Sequence, residues 1–341
     1  MRLQFTLQTL LLSVVVIWSS MAAFGPGGLA LAPIVLGVLA LYRSSKRIWH
    51  AIGVVGLFIL CGAGLLGFLL GFVYDAHLAA RRLYCRHNLR RLAIALRAYR
   101  DDYGCFPPAY IADPSGKPAH SWRVLILPYM EEQPLYEQYD FSEPWDGPNN
   151  CKLTEQGVGA FHCPCSRSWL NGPAMTDYVA VVGKKTSWPG ANPRKVEDIR
   201  DGTHGTIMLV EIDDSHIKWT EPRDLSFEEA LRDINPESGV GISSQHVWDT
   251  GYFFPAPIGV NVAFADGTAS SLREGIPPEM LEGLLTIDGG ETVETDYWVP
   301  PRVNWTNCFA VVALVVSVLL VLLRPRRREP QGPQSLGVDS R

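Results

Sequence analysis

The chain has 341 residues, a net charge of −5 and a hydrophobic fraction of 47%. So small a charge argues against a nucleic-acid-binding protein, and no long basic segment is interleaved with aromatic residues. The length leaves room for one sizeable soluble core between apolar segments near the two ends.

The first apolar segment covers about residues 4–24. It is either a membrane span or a signal peptide cleaved near Ala22. Apolar sequence resumes over about 25–42, so we favour two spans within an N-terminal membrane region, residues 1–50.

Residues 51–73 are apolar and free of charge, which suits a helix that crosses a bilayer. We predict a third span over residues 51–75 that continues into a spine helix. The following segment, 76–103, contains neither proline nor glycine. Its apolar residues recur every three or four positions, the spacing of a helix with one buried face: Leu89, Leu92, Leu96, Tyr99 and Tyr103.

The last apolar segment, 303–323, is followed by a basic tail, 324–341. Lysine and arginine favour the cytoplasmic side of a membrane. The tail and the basic residues between 43 and 47 therefore predict that the domain over 76–301 lies on the extracytoplasmic side of a bacterial inner membrane. Arginines between positions 81 and 91 oppose this topology.

Three short apolar segments between turn residues predict strands, at Asp177–Val182, Thr206–Glu211 and Val260–Ala265. Asp266-Gly267 followed by Thr268–Leu272 predicts a hairpin with a type I′ turn. The predicted fold class is α+β: a pilin-like long N-terminal helix packed on an antiparallel sheet, with transmembrane helices at both ends.

Several motifs occur in a fixed order along residues 81–290. They are Asn88–Leu96 with Tyr103-Gly104 and Phe106-Pro107-Pro108, Ser121–Tyr129, Glu143–Asp146, Phe161–Pro164, Thr176–Gly183, Ile199–Thr203, Trp219–Pro222 and Asn261–Gly267. Together they resemble a planctomycete-type pilin-like family that is a domain of unknown function, related to the pseudopilins of type II secretion. The resemblance implies a pilin-like fold and a structural or protein-interaction role.

The chain departs from that family in two places. Members carry a prepilin leader with a glycine before a phenylalanine, and no glycine precedes Phe5. Members also end in a histidine, nine residues and Asp-Gly. Before Asp266-Gly267 that position is Ala256, and the nearest upstream histidine is His246.

Cysteine is frequent in the predicted domain. Cys151 could form a disulfide with Cys163 or Cys165 in an oxidising compartment. Unpaired structural cysteines are the second interpretation. A metal site is the third, with His162 as the neighbouring ligand, although the spacing of Cys163-Pro164-Cys165 suits neither a zinc site nor a thioredoxin-like motif.

His246, Asp266 and Glu211 form the only candidate acid/base set. Asp266 is also explained by the turn alone, and no known catalytic motif is present. We therefore expect a protein that is not an enzyme.

Calcium is a weak candidate ligand, because acidic residues occur in loops without the regular alternation of a calcium-binding loop: Asp201, Asp213, Asp214 and Asp266. Ordinary turns explain them equally well, so no cofactor is expected. A set of aromatic residues could line a sugar-binding groove or fill the core: Trp122, Tyr129, Tyr136, Tyr139, Trp145 and Trp169.

The favoured function is a membrane-anchored, extracytoplasmic pilin/pseudopilin-like protein with a structural or interaction role at the cell envelope. Its expected partners are the lipid bilayer and envelope or secretion-system proteins, and not nucleic acid. The alternative is a ligand-binding or sensor module for carbohydrate or a divalent cation. A hydrolase is the least favoured class.

Overall fold

The computed structural model describes residues 46–166, 168–232, 234–236, 240–244 and 259–290, together with the single positions 34, 37, 38, 41, 309, 312 and 316. The chain divides into two compact units. One is Val73–Val303, and the other combines Met1–Phe72 with Asn304–Arg341.

No helix among the described residues is both long and apolar enough to cross a membrane. Apart from single positions, the spans predicted at 4–24, 25–42 and 303–323 lie outside the described residues, as does the tail, 324–341. Residues 51–75 are helical. The spans stay predictions.

The helices of the described residues are α1 (Arg47–Tyr103), α2 (Trp122–Leu125), α3 (Gln133–Gln138), α4 (Asn150–Thr154), α5 (Phe227–Ala230) and α6 (Pro278–Leu285). The strands are β1 (Tyr110–Ala112), β2 (Pro118–Ser121), β3 (Tyr178–Val182), β4 (Ile207–Glu211), β5 (Leu225–Ser226), β6 (Gly259–Phe264) and β7 (Ala269–Arg273). Short 3₁₀ helices lie at Leu127–Met130, Gly159–Phe161, Ser168–Asn171 and Val196–Asp198.

Helix α1 is continuous through the region where the spine helix was predicted to begin. It ends at Tyr103, and the next residue, Gly104, has a φ of 72°, which glycine adopts without steric cost. The predicted face is buried at Leu89, Leu92 and Leu96. Tyr103 is an exception: it is 63% exposed, because the helix ends there and its ring stacks on Tyr99 at 4.3 Å between centroids.

The main sheet of the described residues has five strands in the order β5-β3-β4-β6-β7. Neighbouring strands are antiparallel except at one edge, where β5 pairs parallel to β3 through Val181 and Leu225. The α+β class is confirmed, but the sheet is mixed and not purely antiparallel. The parallel pair escaped prediction because β5 has only two residues.

The β6–β7 hairpin is present, but its turn is not type I′. That turn needs positive φ at both central residues, and of Asp266 and Gly267 only Gly267, at 86°, has one. The amide nitrogens of Gly267 and Thr268 donate instead to the Phe264 carbonyl, at 3.0 Å, and to Asp266 Oδ1, at 2.8 Å. A type I turn followed by a left-handed glycine fits this pattern.

Two apolar cores lie on the two faces of the sheet, because side chains alternate along each strand. Tyr178 and Ala180 of β3 belong to the same core as Leu89 of α1; we call this face the helix side. Val179 and Val181 belong to the other core, which we call the aliphatic side.

The aliphatic side is covered by α6, through side chains such as Leu281 and Leu284. Its strand residues are mostly branched, including Val210, Val260 and Val262. Strand β4 has a register shift between Ile207 and Leu209. At this irregularity two consecutive residues, Met208 and Leu209, both belong to the core on the helix side.

Candidate functional site

A group of three cysteine sulfurs lies on the helix side of the sheet. Cys85 of α1 forms a disulfide with Cys163, with Cα atoms 5.1 Å apart. Cys165 is a free, half-buried cysteine. The Sγ atoms of all three lie within 4.8 Å of one another. We call this group the sulfur cluster.

The predicted pairing of Cys151 with Cys163 or Cys165 is wrong. Cys151 and Cys165 are both free, and Cys163 pairs with a residue 78 positions away. Cys85 lies on the buried face of α1, one turn before Leu89. Packing of that face on the sheet brings Cys85 to the Cys163 loop. The spacing of the cysteines along the sequence could not predict this contact, because it depends on the tertiary structure.

Hydrogen bonds hold the Cys163 loop on the helix and the sheet. Asn88 Nδ2 donates to the His162 carbonyl at 2.9 Å, and Tyr178 Oη donates to the Cys85 carbonyl at 3.2 Å. The Cys163 amide donates to Asp177 Oδ2 at 2.7 Å. The sulfur cluster therefore lies where α1, the loop and β3 meet.

His162 and Asp177 lie side by side next to the sulfur cluster, and they form an ion pair when the histidine is protonated. Nε2 of His162 must donate to the Pro173 carbonyl, 2.8 Å away, so the lone pair of a neutral ring is on Nδ1. That atom lies 3.7 Å from Asp177 Oδ2, beyond hydrogen-bond length but within range of an ion pair. Burial alone lowers the pKa of His162, but Asp177 and the Pro173 carbonyl outweigh it, and the net pKa is raised.

The sulfur cluster does not have the ligands of a structural zinc site while its disulfide is intact. Such sites use four ligands, and their cysteines bind as thiolates. Two of the three sulfurs are consumed by the disulfide, so only Cys165 can supply a thiolate. Among the described residues this is the only group of three or more potential ligand atoms within that distance.

The helix side contains a second polar feature, the buried ion pair of Arg123 and Asp224, which the sequence analysis did not predict. Arg123 is fully buried, and its Nη2 lies 2.5 Å from Asp224 Oδ1. The guanidinium also donates to the Tyr178 carbonyl from Nε and Nη2, at 3.3 and 3.1 Å. Asp224 accepts from the Ala180 amide and the Trp122 indole as well. The pair thus joins α2, β3 and the residue before β5.

Burial raises the pKa of the Asp224 carboxyl, and the charge of Arg123 and the donated hydrogen bonds oppose that rise. The bonds satisfy both charged groups in place of water. We call this buried ion pair the Arg123–Asp224 lock, because the side chain of Arg123 is completely buried and that of Asp224 almost completely.

The predicted acid/base set is not assembled by the described residues. Glu211 is 2% exposed and accepts from the amide and side chain of Asn261. Asp266 follows five residues after Asn261, so the two acids lie roughly 15 Å apart along the hairpin. His246 lies outside the described residues.

The four calcium candidates act as turn and loop acceptors. The two oxygens of Asp201 accept from the amides of Gly289 and Gly290. Asp213 and Asp214 lie near Ser166 and Asn171, and Asp266 accepts from Thr268. Among the described residues these carboxylates do not form a group of ligand spacing.

The aromatic candidates serve different parts of the fold. Trp122 is fully buried and packs on Trp188, with centroids 5.2 Å apart. Tyr129 lies against Tyr99, and both Tyr136 and Tyr139 lie against Phe141. Trp145 is half-buried, and the side chain of Trp169 is not among those described.

Comparison with known proteins gives one result. The model of the family described as "Protein of unknown function (DUF1559)" matches residues 75–279, more than half of the chain. No curated protein and no solved structure shows a significant match. The matched segment begins in α1 and ends in α6, so it takes in most of both cores, the sulfur cluster and the Arg123–Asp224 lock. The chain therefore belongs to this family of proteins of unknown function.

Proposed function

We propose that this chain is a membrane-anchored, extracytoplasmic pilin/pseudopilin-like protein with a structural or protein-interaction role at the cell envelope. The observation that carries the proposal is the buried disulfide between α1 and the Cys163 loop. Disulfides persist in oxidising compartments and are rare in the cytosol of most organisms. The cross-link therefore supports an extracytoplasmic location for the unit Val73–Val303.

A membrane anchor is supported by the first half of α1. Residues 51–73 carry no charged side chain, and exposed apolar side chains occur along this stretch: Ile52, Val55, Ile59, Leu66, Leu70 and Val73. Extended apolar surface of this kind is unfavourable in water and marks a membrane or protein interface. The lipid bilayer is therefore the first partner that we propose.

A pilin-like role is supported by the way the second half of α1 packs. Its buried face shares one core with strands β3, β4 and β6, through residues such as Leu92, Leu209 and Ala263. A long helix laid on a small sheet is the architecture that the motif resemblance implies. The chemistry of the described residues also suits binding better than turnover, since Glu211 and Asp266 are held apart by their own structural bonds.

The proposal is tested by reporter fusions to the full-length protein in a bacterial host. Alkaline phosphatase, active only outside the cytoplasm, is fused after residue 150 and, separately, after residue 341. Fluorescent protein, which matures in the cytoplasm, is fused at the same two positions as the matched control. We expect phosphatase activity at position 150 and fluorescence at position 341.

Membrane fractions washed with alkaline carbonate complete the test. The protein should stay with the membrane, in which further spans are predicted at 4–24, 25–42 and 303–323. Substitution of two residues in 51–73 by lysine should block insertion of that span and abolish the phosphatase activity at position 150. Fluorescence at position 150, or release of the unmodified protein by the wash, would contradict the proposal.

A further inference from the structure

The sulfur cluster brings a free thiol next to an intact disulfide. Cys165 Sγ lies within 4.8 Å of both Cys85 Sγ and Cys163 Sγ. Cys165 is half-buried, so part of it contacts water, whereas the two bonded cysteines are buried. A thiolate exchanges with a disulfide by attacking one of its sulfurs directly, and the rate depends on access of the attacking thiol.

We propose that Cys165 is a built-in nucleophile for thiol–disulfide exchange with the Cys85–Cys163 cross-link. The Cys165 thiol gives its proton to solvent, and the thiolate attacks Cys85 Sγ. A Cys85–Cys165 bond forms, the Cys85–Cys163 bond breaks, and Cys163 leaves as a thiolate that takes up a proton. One disulfide and one thiol are present before and after the step, so no external oxidant or reductant is consumed.

The position of Cys165 in its loop assigns the attack to Cys85. Cys163 and Cys165 are two residues apart in a tight turn, in which the Ser166 amide donates to the Cys163 carbonyl at 3.0 Å. A bond between them would close a very small ring and free α1 from the loop. Attack on Cys85 keeps the loop bonded to α1 and moves the attachment by two residues, so the packing of α1 on the sheet is retained.

The surroundings allow Cys163 to become the free thiol. Its amide stays bonded to Asp177 Oδ2, and its neighbour His162 is held by Pro173 and Asp177. These contacts fix the backbone of the loop whether or not the Cys163 sulfur is in a disulfide. We therefore expect these backbone contacts to be kept in the exchanged form, which differs in the sulfur that is bonded to Cys85.

The exchange is tested on full-length protein solubilised in mild detergent. The protein is incubated in mildly alkaline buffer at high dilution, quenched with acid, and labelled with N-ethylmaleimide at the lowest pH that the reagent allows. Fragmentation on the N-terminal side of Pro164 then locates the label on Cys163 or on Cys165. We expect label on Cys163 to grow with time, together with a peptide that links Cys85 to Cys165.

Two sets of variants keep the test decisive. In Cys163→Ser the exchange product is the only local disulfide possible, and we expect Cys85 to pair with Cys165 under mild oxidation. In Cys165→Ser only the Cys85–Cys163 peptide should appear. Cys105→Ser and Cys151→Ser remove the other free thiols that the structure describes and should leave the label on Cys163 unchanged.

Three results would overturn the proposal. The first is label confined to Cys165 in the unmodified protein at all times. The second is a Cys163→Ser protein whose Cys85 and Cys165 both stay reduced. The third is recovery of a Cys163–Cys165 disulfide, which would mean that the attack falls on the other sulfur.

Discussion

The two faces of the sheet are stabilised in different ways. The helix side contains the disulfide, the Arg123–Asp224 lock and three fully buried tryptophans, Trp122, Trp188 and Trp219. Each indole nitrogen donates a hydrogen bond, to Asp224, Met208 and Thr154 respectively. The aliphatic side is filled chiefly by valine, isoleucine and leucine.

The two faces therefore make different contributions: one stabilises the fold, and the other specifies how its elements are arranged. Aliphatic burial is non-directional and tolerates exchanges of similar volume. Hydrogen bonds and ion pairs on the helix side accept only one arrangement of partners. We infer that the aliphatic side contributes cohesion, whereas the helix side fixes where α1 lies on the sheet.

The largest expected effect is that of Arg123→Ala. It leaves the Asp224 carboxylate buried without its cation and removes two donors to the Tyr178 carbonyl. Removal of one partner from a buried pair costs about 3–5 kcal/mol of unfolding free energy. Urea unfolding followed by tryptophan fluorescence measures the loss. Arg232→Ala, at an exposed arginine, is the control and should change stability by less than about 0.5 kcal/mol. Equal losses of unfolding free energy in the two variants would show that the buried ion pair contributes no more than an exposed arginine.

The disulfide gives the next effect. Cys85→Ala removes the cross-link that spans 78 positions, and the loss of a native disulfide of this kind costs about 2–5 kcal/mol. Thermal unfolding without reductant measures it, with Cys105→Ala as the matched control at a free cysteine. Addition of reductant should lower the stability of the unmodified protein toward that of Cys85→Ala and leave that variant unchanged. A variant as stable as the unmodified protein would show that the cross-link does not hold α1.

An isosteric pair of changes sharpens the comparison between the faces. Val262→Thr inserts a hydroxyl into the aliphatic side, where it would cost about 1–3 kcal/mol if unpaired. Thr154→Val removes a hydroxyl from the helix side that bonds Thr220 at 2.6 Å, and it leaves that partner buried, at a similar cost. Unfolding free energies of both variants should fall. A neutral Thr154→Val would mean that the helix side tolerates apolar packing as well as the other face does.

The smallest effect is the pH dependence carried by His162. Its pKa is raised in the folded protein, so the stabilisation is complete below the unfolded value, about 6.5. It is lost as pH rises through the folded value. The difference in unfolding free energy between the unmodified protein and His162→Gln should therefore shrink across that window. A difference that grows with pH would contradict the ion pair with Asp177.

Local patterns in the sequence predicted the parts of the fold that local physics determines. The spacing of Leu89, Leu92 and Leu96 indicated the buried face of α1, and β-branched segments indicated β3, β4 and β6. The Asp-Gly pair indicated the hairpin but not its turn type. Asp266 has a negative φ, and its carboxylate accepts a hydrogen bond from the Thr268 amide. The Asp-Gly dipeptide alone does not indicate this conformation.

The candidate site depends on contacts between distant residues. Cys85 meets Cys163 only because α1 packs on the sheet, and Arg123 meets Asp224 from 101 positions away. An arginine beside a tryptophan is usually a surface residue, so nothing in Ser121-Trp122-Arg123 indicated complete burial. Asp224 directly follows Arg223 in the sequence, so no unpaired carboxylate stood out there either.

The disulfide also closes the chain between Cys85 and Cys163 into a covalent ring. Strands β1 and β2 and helices α2, α3 and α4 all lie between Cys85 and Cys163, and an exposed turn at 114–117 lies at the tip of the first hairpin. A protease that cuts within this exposed turn would nick the ring without releasing a fragment. The two pieces would migrate as one molecule until a reducing agent opened the ring.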